Sequence, residues 1–212
     1  MSEPRTDRDA PGLCVFCSSS ERIDPRYVAL ATEVGRRIAD HGWRLVSGGG
    51  SVSMMGALAR AARAGGAHTL GVIPAALEAA EVADHDADEL VVTQDMRERK
   101  GLMDGSAAAF LALPGGIGTL EELLEVWVAR SLGMHAKPVV VLDPDGVYEH
   151  LRAQVAALVR AGFVRQPAAD AAVWVTTVDE AFAALESGLA RAQAPSVGHA
   201  REDDEELLEA EP

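Results

Sequence analysis

The stretch AAAFLALPGGIGTLEELLEVW, residues 107–127, joins an apolar run, a glycine-rich loop and an amphipathic segment in that order. An apolar run without alternation predicts a central strand that is buried on both faces of a parallel sheet. A glycine loop that leads from such a strand into a helix is typical of open α/β sheets, in which ligands bind at the carboxyl ends of the strands. This stretch therefore predicts both a fold class and the edge of the sheet where a site would lie.

Short apolar runs continue to alternate with amphipathic stretches on both sides of residues 107–127. Strands are predicted at residues 13–17, 43–46, 69–73, 90–93, 107–113, 138–142 and 173–176, and helices at 25–41, 52–64, 95–104, 119–132, 147–160 and 179–189. This rhythm predicts an α/β protein with one Rossmann-like, doubly wound parallel sheet of about six or seven strands flanked by helices. We assign residues 12–189 to this domain, 1–11 to a flexible N-terminus and 190–212 to a disordered acidic tail.

The charge balance limits the classes of partner. The 212 residues include 33 acidic and 19 basic side chains, for a net charge of -14. Proteins that bind nucleic-acid polymers or anionic membrane surfaces need clustered Lys and Arg, so neither partner is expected. No apolar run approaches the roughly 20 residues of a membrane helix, and the N-terminus lacks the apolar stretch of a signal peptide. We therefore expect a cytoplasmic protein.

Two clusters could bind metal or carry redox chemistry. Cys14 and Cys17 are the only cysteines, and alternation along the first predicted strand would point the two thiols to opposite faces of the sheet, which disfavours a redox pair. Two cysteines alone are also a weak metal site. His85 lies within the acidic stretch 84–88, which we interpret as a solvated loop rather than a metal cluster because the spacing matches no known set of ligands.

Two glycine loops, at residues 48–50 and 115–119, follow predicted strands and lead into predicted helices. Backbone N–H groups at a helix start favour anions, so the pair of loops predicts a phosphate site. Glycines also permit tight turns between a strand and a helix. For a single glycine loop, this structural explanation accounts for the sequence about as well as phosphate binding does. A dinucleotide fingerprint fails because Ser53 occupies its third glycine position, and neither loop has the Lys of an ATP-binding loop.

Adjacent carboxylates, Glu121 and Glu122, follow the second loop. Thr119 and Glu122 have the Thr-x-x-Glu spacing of a helix capping box, and on spacing alone we expect capping rather than catalysis. Arg99 and Lys100 lie on a predicted helix that begins at the same edge of the sheet. They are either a partner for these carboxylates or part of an exposed charged face.

Together these motifs resemble those of the LONELY GUY family of cytokinin-activating phosphoribohydrolases, which are often mislabelled as lysine decarboxylases. The segment 114–122 matches the family motif PGGxGTxxE, and Arg99-Lys100 after a Met matches a second motif. Further similar segments are VFCSSS at 15–20, GGGSV at 48–52 with Met55-Gly56, and GVIP at 71–74. The resemblance covers residues 13–185.

The resemblance implies a Rossmann-like homodimer that hydrolyses the N-glycosidic bond of a nucleoside 5'-monophosphate, without a metal or a cofactor. It implies that Arg99 and Glu122 are the catalytic pair. The substrate contacts expected from the resemblance and the glycine loops are Ser18, Gly48, Gly49, Gly50, Glu81, Arg99, Lys100, Gly115, Gly116, Ile117, Gly118, Thr119, Leu120 and Glu121. The chain departs from the family pattern at Ser47, usually Tyr, at Ser53, usually Gly, and at Ser18, where Gly is common.

Three functional classes stay open. The first is a phosphoribohydrolase that acts either on a prenylated adenine nucleotide or, as a general nucleosidase, on AMP. The second is a non-catalytic carrier of a nucleotide or cofactor on the same sheet. The third is a decarboxylase dependent on pyridoxal phosphate, for which only Lys100 and Lys137 could form the Schiff base and neither has a supporting motif.

Overall fold

A seven-stranded parallel sheet forms the centre of the protein in a computed structural model that describes residues 10–78 and 83–194. The strands are β1 (Gly12–Phe16), β2 (Arg44–Ser47), β3 (Thr69–Pro74), β4 (Glu89–Thr93), β5 (Ala109–Ala112), β6 (Val139–Leu142) and β7 (Ala172–Val175). The helices are α1 (Pro25–Asp40), α2 (Ser53–Ala64), α3 (Ala75–Glu78), α4 (Met96–Ser106), α5 (Ile117–Ser131), α6 (Glu149–Arg160), α7 (Gln166–Ala169) and α8 (Val178–Gln193). This confirms the predicted fold class.

The order of the strands creates one topological switch point. It runs β4-β3-β2-β1-β5-β6-β7, and all neighbouring strands are parallel. The chain builds outward from β1 in one direction through β4 and then returns to the other side of β1 with β5. In such sheets ligands bind outside the carboxyl ends of the strands where the order reverses, so the expected crevice lies between β1 and β5.

The sheet separates two apolar layers, and the cysteines show how β1 contributes to both. Cys14 packs with the cluster that includes Phe110 and Trp127, and Cys17 packs with the cluster on the other face. Both thiols are buried and free, and burial raises the pKa of each. The predicted separation of the two thiols is confirmed.

Several element boundaries differ from the predictions. α5 begins at Ile117, two residues earlier than predicted, and α8 continues to Gln193, past the predicted end at Leu189. Sequence periodicity does not predict α3 and α7, because four residues are too few to establish a helical repeat. Most of the predicted N-terminal and C-terminal segments lie outside the described residues. Within the described ranges, no helix has both the length and the apolar character needed to cross a membrane.

Candidate active site

A cleft of about 280 Å³ opens at the switch point, bounded by the loop after β1, the start of α5 and one face of α4. Parallel strands bring these segments to one edge although they are distant in sequence. The predicted site residues that line the cleft are Ser18, Gly48, Arg99, Gly116, Gly118, Thr119, Glu121 and Glu122. Apolar side chains that the sequence did not single out for the site complete the wall: Leu77 from the short α3 and Met96 from the start of α4.

A buried ion pair joins the two walls of the cleft. Nη1 of Arg99 donates to Oε1 of Glu122 at 2.8 Å, and the two side chains are only 9% and 12% exposed. A charge-assisted hydrogen bond in so little solvent is stronger than a surface pair. Of the two interpretations of Glu122, the structure therefore favours a site role, because its carboxylate reaches Arg99 rather than the helix start.

The guanidinium of Arg99 is fixed from two further sides. Its Nε donates to the carbonyl oxygen of Val72 in β3 at 3.1 Å. Gly48 lies against its outer edge, since a Cβ added to Gly48 would lie 2.3 Å from Nη2 of Arg99. The residue after β2 must therefore be a glycine if Arg99 is to reach Glu122.

The predicted capping box between Thr119 and Glu122 is wrong. α5 begins at Ile117 with Gly116 as its N-cap, so Thr119 is the third helical residue and cannot cap the helix. The Thr119 side chain instead packs on Gly115, whose added Cβ would lie 2.1 Å from Oγ1 of Thr119. Sequence spacing could not reveal this, because a glycine can start a helix without a capping side chain.

The start of α5 is suited to an anion. None of the described residues provides a side-chain cap at Gly116, and the first N–H groups of a helix have no acceptor within the helix. By contrast, Asp24 and Asp95 cap the starts of α1 and α4 and so use those donors. Because the helix dipole adds partial positive charge, the α5 start favours a phosphate.

The first glycine loop is buried beneath the site. Gly49 has a φ of 75°, and its carbonyl oxygen accepts a hydrogen bond from the Asp84 N–H at 2.8 Å. Gly50 forms an antiparallel bridge with Ala83. Of residues 48–50, only Gly48 is at the wall of the cleft.

The remaining predicted contacts lie around the rim or away from it. Ile117 is 86% exposed beside the cleft, whereas Leu120 packs partly against the core. Lys100 faces a groove between α4 and α5, where its Nζ pairs with Glu121 at 2.5 Å and Glu125 at 2.7 Å. Lys100 donates these two hydrogen bonds, and they raise its pKa, the one to Glu121 more than the one to Glu125. Glu81 lies outside the described residues.

The acidic stretch 84–88 is not simply a solvated loop. Asp84 is buried and accepts a bidentate hydrogen bond from Arg63, at 2.8 and 3.2 Å. Burial alone would raise the pKa of Asp88, but hydrogen bonds from Thr69 outweigh it and lower that pKa. Within the described part of the chain, no group of three His, Cys, Asp or Glu side chains is placed to hold a metal ion.

Comparison with known proteins adds a family and a set of relatives. The profile of a family described as "possible lysine decarboxylase" matches residues 55–185. A protein of Mycobacterium marinum named cytokinin riboside 5'-monophosphate phosphoribohydrolase is 49% identical over 183 residues, which are 85% of this chain and 97% of that protein. The Mycobacterium tuberculosis protein of the same name is 48% identical over 172 residues, 81% and 91% of the two chains.

A solved structure also resembles this chain. The molybdenum cofactor carrier protein of Chlamydomonas reinhardtii superposes with a TM-score of 0.64 at 26% identity. The match covers 85% of this chain and 99% of the carrier. The same architecture therefore occurs both in proteins named as hydrolases and in one named as a carrier.

Proposed function

The chain belongs to the LONELY GUY family, whose profile is described as possible lysine decarboxylase, and we propose that it hydrolyses a cytokinin riboside 5'-monophosphate to free base and ribose 5-phosphate. The observation that carries this proposal is the buried Arg99–Glu122 pair beside the uncapped start of α5. The start of α5 thus suits the phosphate anion, and the adjacent carboxylate of Glu122 suits the positive charge that develops on the ribose.

The 5'-phosphate would bind at the start of α5. An atom added to Gly116 or Gly118 in the Cβ position meets nothing within 4 Å among the described residues, so a phosphate can approach the backbone closely. Binding energy from this group, which does not react, orients the ribose against the carboxylate.

Glu122 would act at the ribose. Breaking the bond between C1' and the base nitrogen sends the bonding electrons to the base and leaves an oxocarbenium-like ribose, which a nearby carboxylate stabilises. Water then adds its oxygen to C1'. Glu122 can accept the proton that this water loses, and the leaving base takes one from solvent at its nitrogen. Release of the Glu122 proton to solvent then completes the net addition of one water.

Arg99 would hold Glu122 and the substrate in place. An arginine keeps its proton at working pH and is a poor general acid. Its planar fork can bond Glu122 on one edge and substrate oxygens on another. Its anchor on Val72 fixes this orientation before substrate arrives.

The two other functional classes differ in what supports them. The carrier alternative is favoured by the similarity to the cofactor carrier structure, and it predicts tight binding without turnover. The decarboxylase alternative requires a lysine with a lowered pKa. Lys100 has a raised pKa because of Glu121 and Glu125, and Lys137 pairs with Asp104 at 2.7 Å. Neither lysine is suited to form a Schiff base.

We also propose a homodimer formed through α5. Leu124, Val128 and Leu132 are exposed at intervals of four residues, so they share one face of the helix. Leu124 and Val128 line the groove of about 620 Å³ between α4 and α5, which shares Glu121 and Glu122 with the cleft. A second copy on this face would close one side of the site. Light scattering should show a dimer that Val128→Glu converts to a monomer.

The test of the reaction uses AMP, prenylated AMP and the two matching ribosides, with products separated by chromatography. Release of base from the monophosphates is expected, fastest from the prenylated one, and Glu122→Gln should lower kcat by about a hundredfold or more. Glu33→Gln, on the exposed face of α1, makes the same chemical change away from the cleft and serves as the control. Unchanged turnover in Glu122→Gln would overturn the assignment, and tight binding without release of base would favour the carrier.

A further inference from the structure

Tyr148 holds the second glycine loop from inside the protein. It immediately precedes α6 and is 3% exposed. Its hydroxyl donates to the carbonyl oxygen of Leu113 at 2.8 Å. The hydroxyl thus anchors the residue before Pro114, where the chain leaves β5 and turns towards α5.

The position of Tyr148 is set independently of that hydroxyl. The buried carboxylate of Asp143 accepts hydrogen bonds from the N–H groups of Val147 and Tyr148, at 2.8 and 2.9 Å. The phenol ring packs edge-on against Trp174, with centroids 6.4 Å apart. A residue held at both its backbone and its ring can transmit that rigidity to the loop that its hydroxyl touches.

The hydroxyl also fills a gap in the hydrogen bonding of the loop. Pro114 has no N–H group, so the loop lacks one of the donors that would normally anchor it. Burial raises the pKa of Tyr148. This increase keeps the phenol protonated, so it remains a donor to Leu113 throughout the working pH range.

We propose that Tyr148 is a positioning residue for the phosphate-binding start of α5, acting through Leu113. This inference rests on the proposed function, because it assumes that the α5 start binds the 5'-phosphate. Thr119 packs on Gly115, so a shift of Gly115 would move the first turn of α5. The effect should therefore appear in recognition of the phosphate and not in reactions of substrates that lack it.

The test removes one oxygen atom by Tyr148→Phe, which keeps the ring against Trp174. The variant should lower kcat/KM for the monophosphate by about tenfold or more, as expected for a slight misplacement of a binding group, and leave kcat/KM for the riboside unchanged. The Kd of ribose 5-phosphate, measured by calorimetry, should rise by about the same factor. Tyr27→Phe is the matched control, since its hydroxyl bonds only the exposed Arg26 among the described residues.

A second control separates positioning from general loss of stability. Leu151→Ala on α6 removes packing from the same apolar cluster, and it should destabilise the fold while keeping the preference for the monophosphate over the riboside. An equal preference in wild type and Tyr148→Phe, with equal affinity for ribose 5-phosphate, would overturn the inference. If wild type binds ribose 5-phosphate but releases no base, the proposed reaction fails, and the change in affinity still decides the role of Tyr148.

Discussion

The two glycine loops have similar compositions and occupy equivalent places after β2 and β5, yet the structure uses them differently. Residues 48–50 are all buried, and their backbone groups bond within the protein, to Asp84 and Ala83. Residues 116–118 are exposed, and Gly116 and Gly118 line the cleft. The first loop therefore needs glycine for close packing, and the second needs it for access to the backbone.

The two loops therefore contribute to the same site in different ways. Gly48 gives the guanidinium of Arg99 the space to reach Glu122, so the first loop acts on the catalytic pair. The second loop offers donors to the phosphate. Substitutions in the two loops should consequently affect different kinetic parameters.

Among the glycine substitutions, Gly48→Ala should have the largest effect on catalysis. Its Cβ would lie 2.3 Å from Nη2 of Arg99 and 2.9 Å from Cε of Met55, both ends of flexible side chains. The protein can therefore fold by moving Arg99, and the catalytic geometry is lost. We expect kcat/KM to fall about a hundredfold with a near-normal urea unfolding midpoint.

Gly105→Ala is the control for Gly48→Ala. A Cβ at this helical glycine of α4 meets nothing within 4 Å in the described structure. Alanine should stabilise the helix by about 0.5–1 kcal/mol and leave turnover unchanged. If Gly48→Ala behaved like Gly105→Ala in turnover, the first loop would have no role in placing Arg99.

Gly115→Ala should have a smaller effect on turnover and a larger one on stability. Its Cβ would lie 2.1 and 2.6 Å from Oγ1 and Cβ of Thr119, a buried β-branched residue that cannot swing away. The first turn of α5 must shift, so we expect about 1–3 kcal/mol of destabilisation and a raised KM for the monophosphate. Denaturant unfolding and steady-state kinetics on AMP measure the two effects, and an unchanged KM would contradict the assignment of this turn to the phosphate.

The sequence predicts the sheet but not the contrast between its loops. Alternating apolar runs identify all seven strands, because strand periodicity is a local property. The contact of Arg99 with Glu122 spans 23 residues and depends on which strands are neighbours. Whether Gly48 or Gly116 is buried depends likewise on which segments pack against it. Two glycine loops with similar local sequences therefore give no signal of which one is buried. Asp84 shows the same limit, since only the fold brings Arg63 to it.

The smallest expected effect is at Ser53, the first residue of α2, shortly after the first loop. Ser53 has a φ of 50°, in the left-handed region that favours glycine, and its Oγ donates to the carbonyl oxygen of Ser20 at 2.6 Å. Ser53→Gly and Ser53→Ala both lose this hydrogen bond, but only alanine retains the unfavourable backbone. We expect the glycine variant to be more stable than the alanine variant by about 1 kcal/mol, measured by urea unfolding. Equal midpoints would mean that the left-handed backbone at Ser53 carries no strain. The close packing of the first loop would then end at Gly50 without a cost in stability at the start of α2.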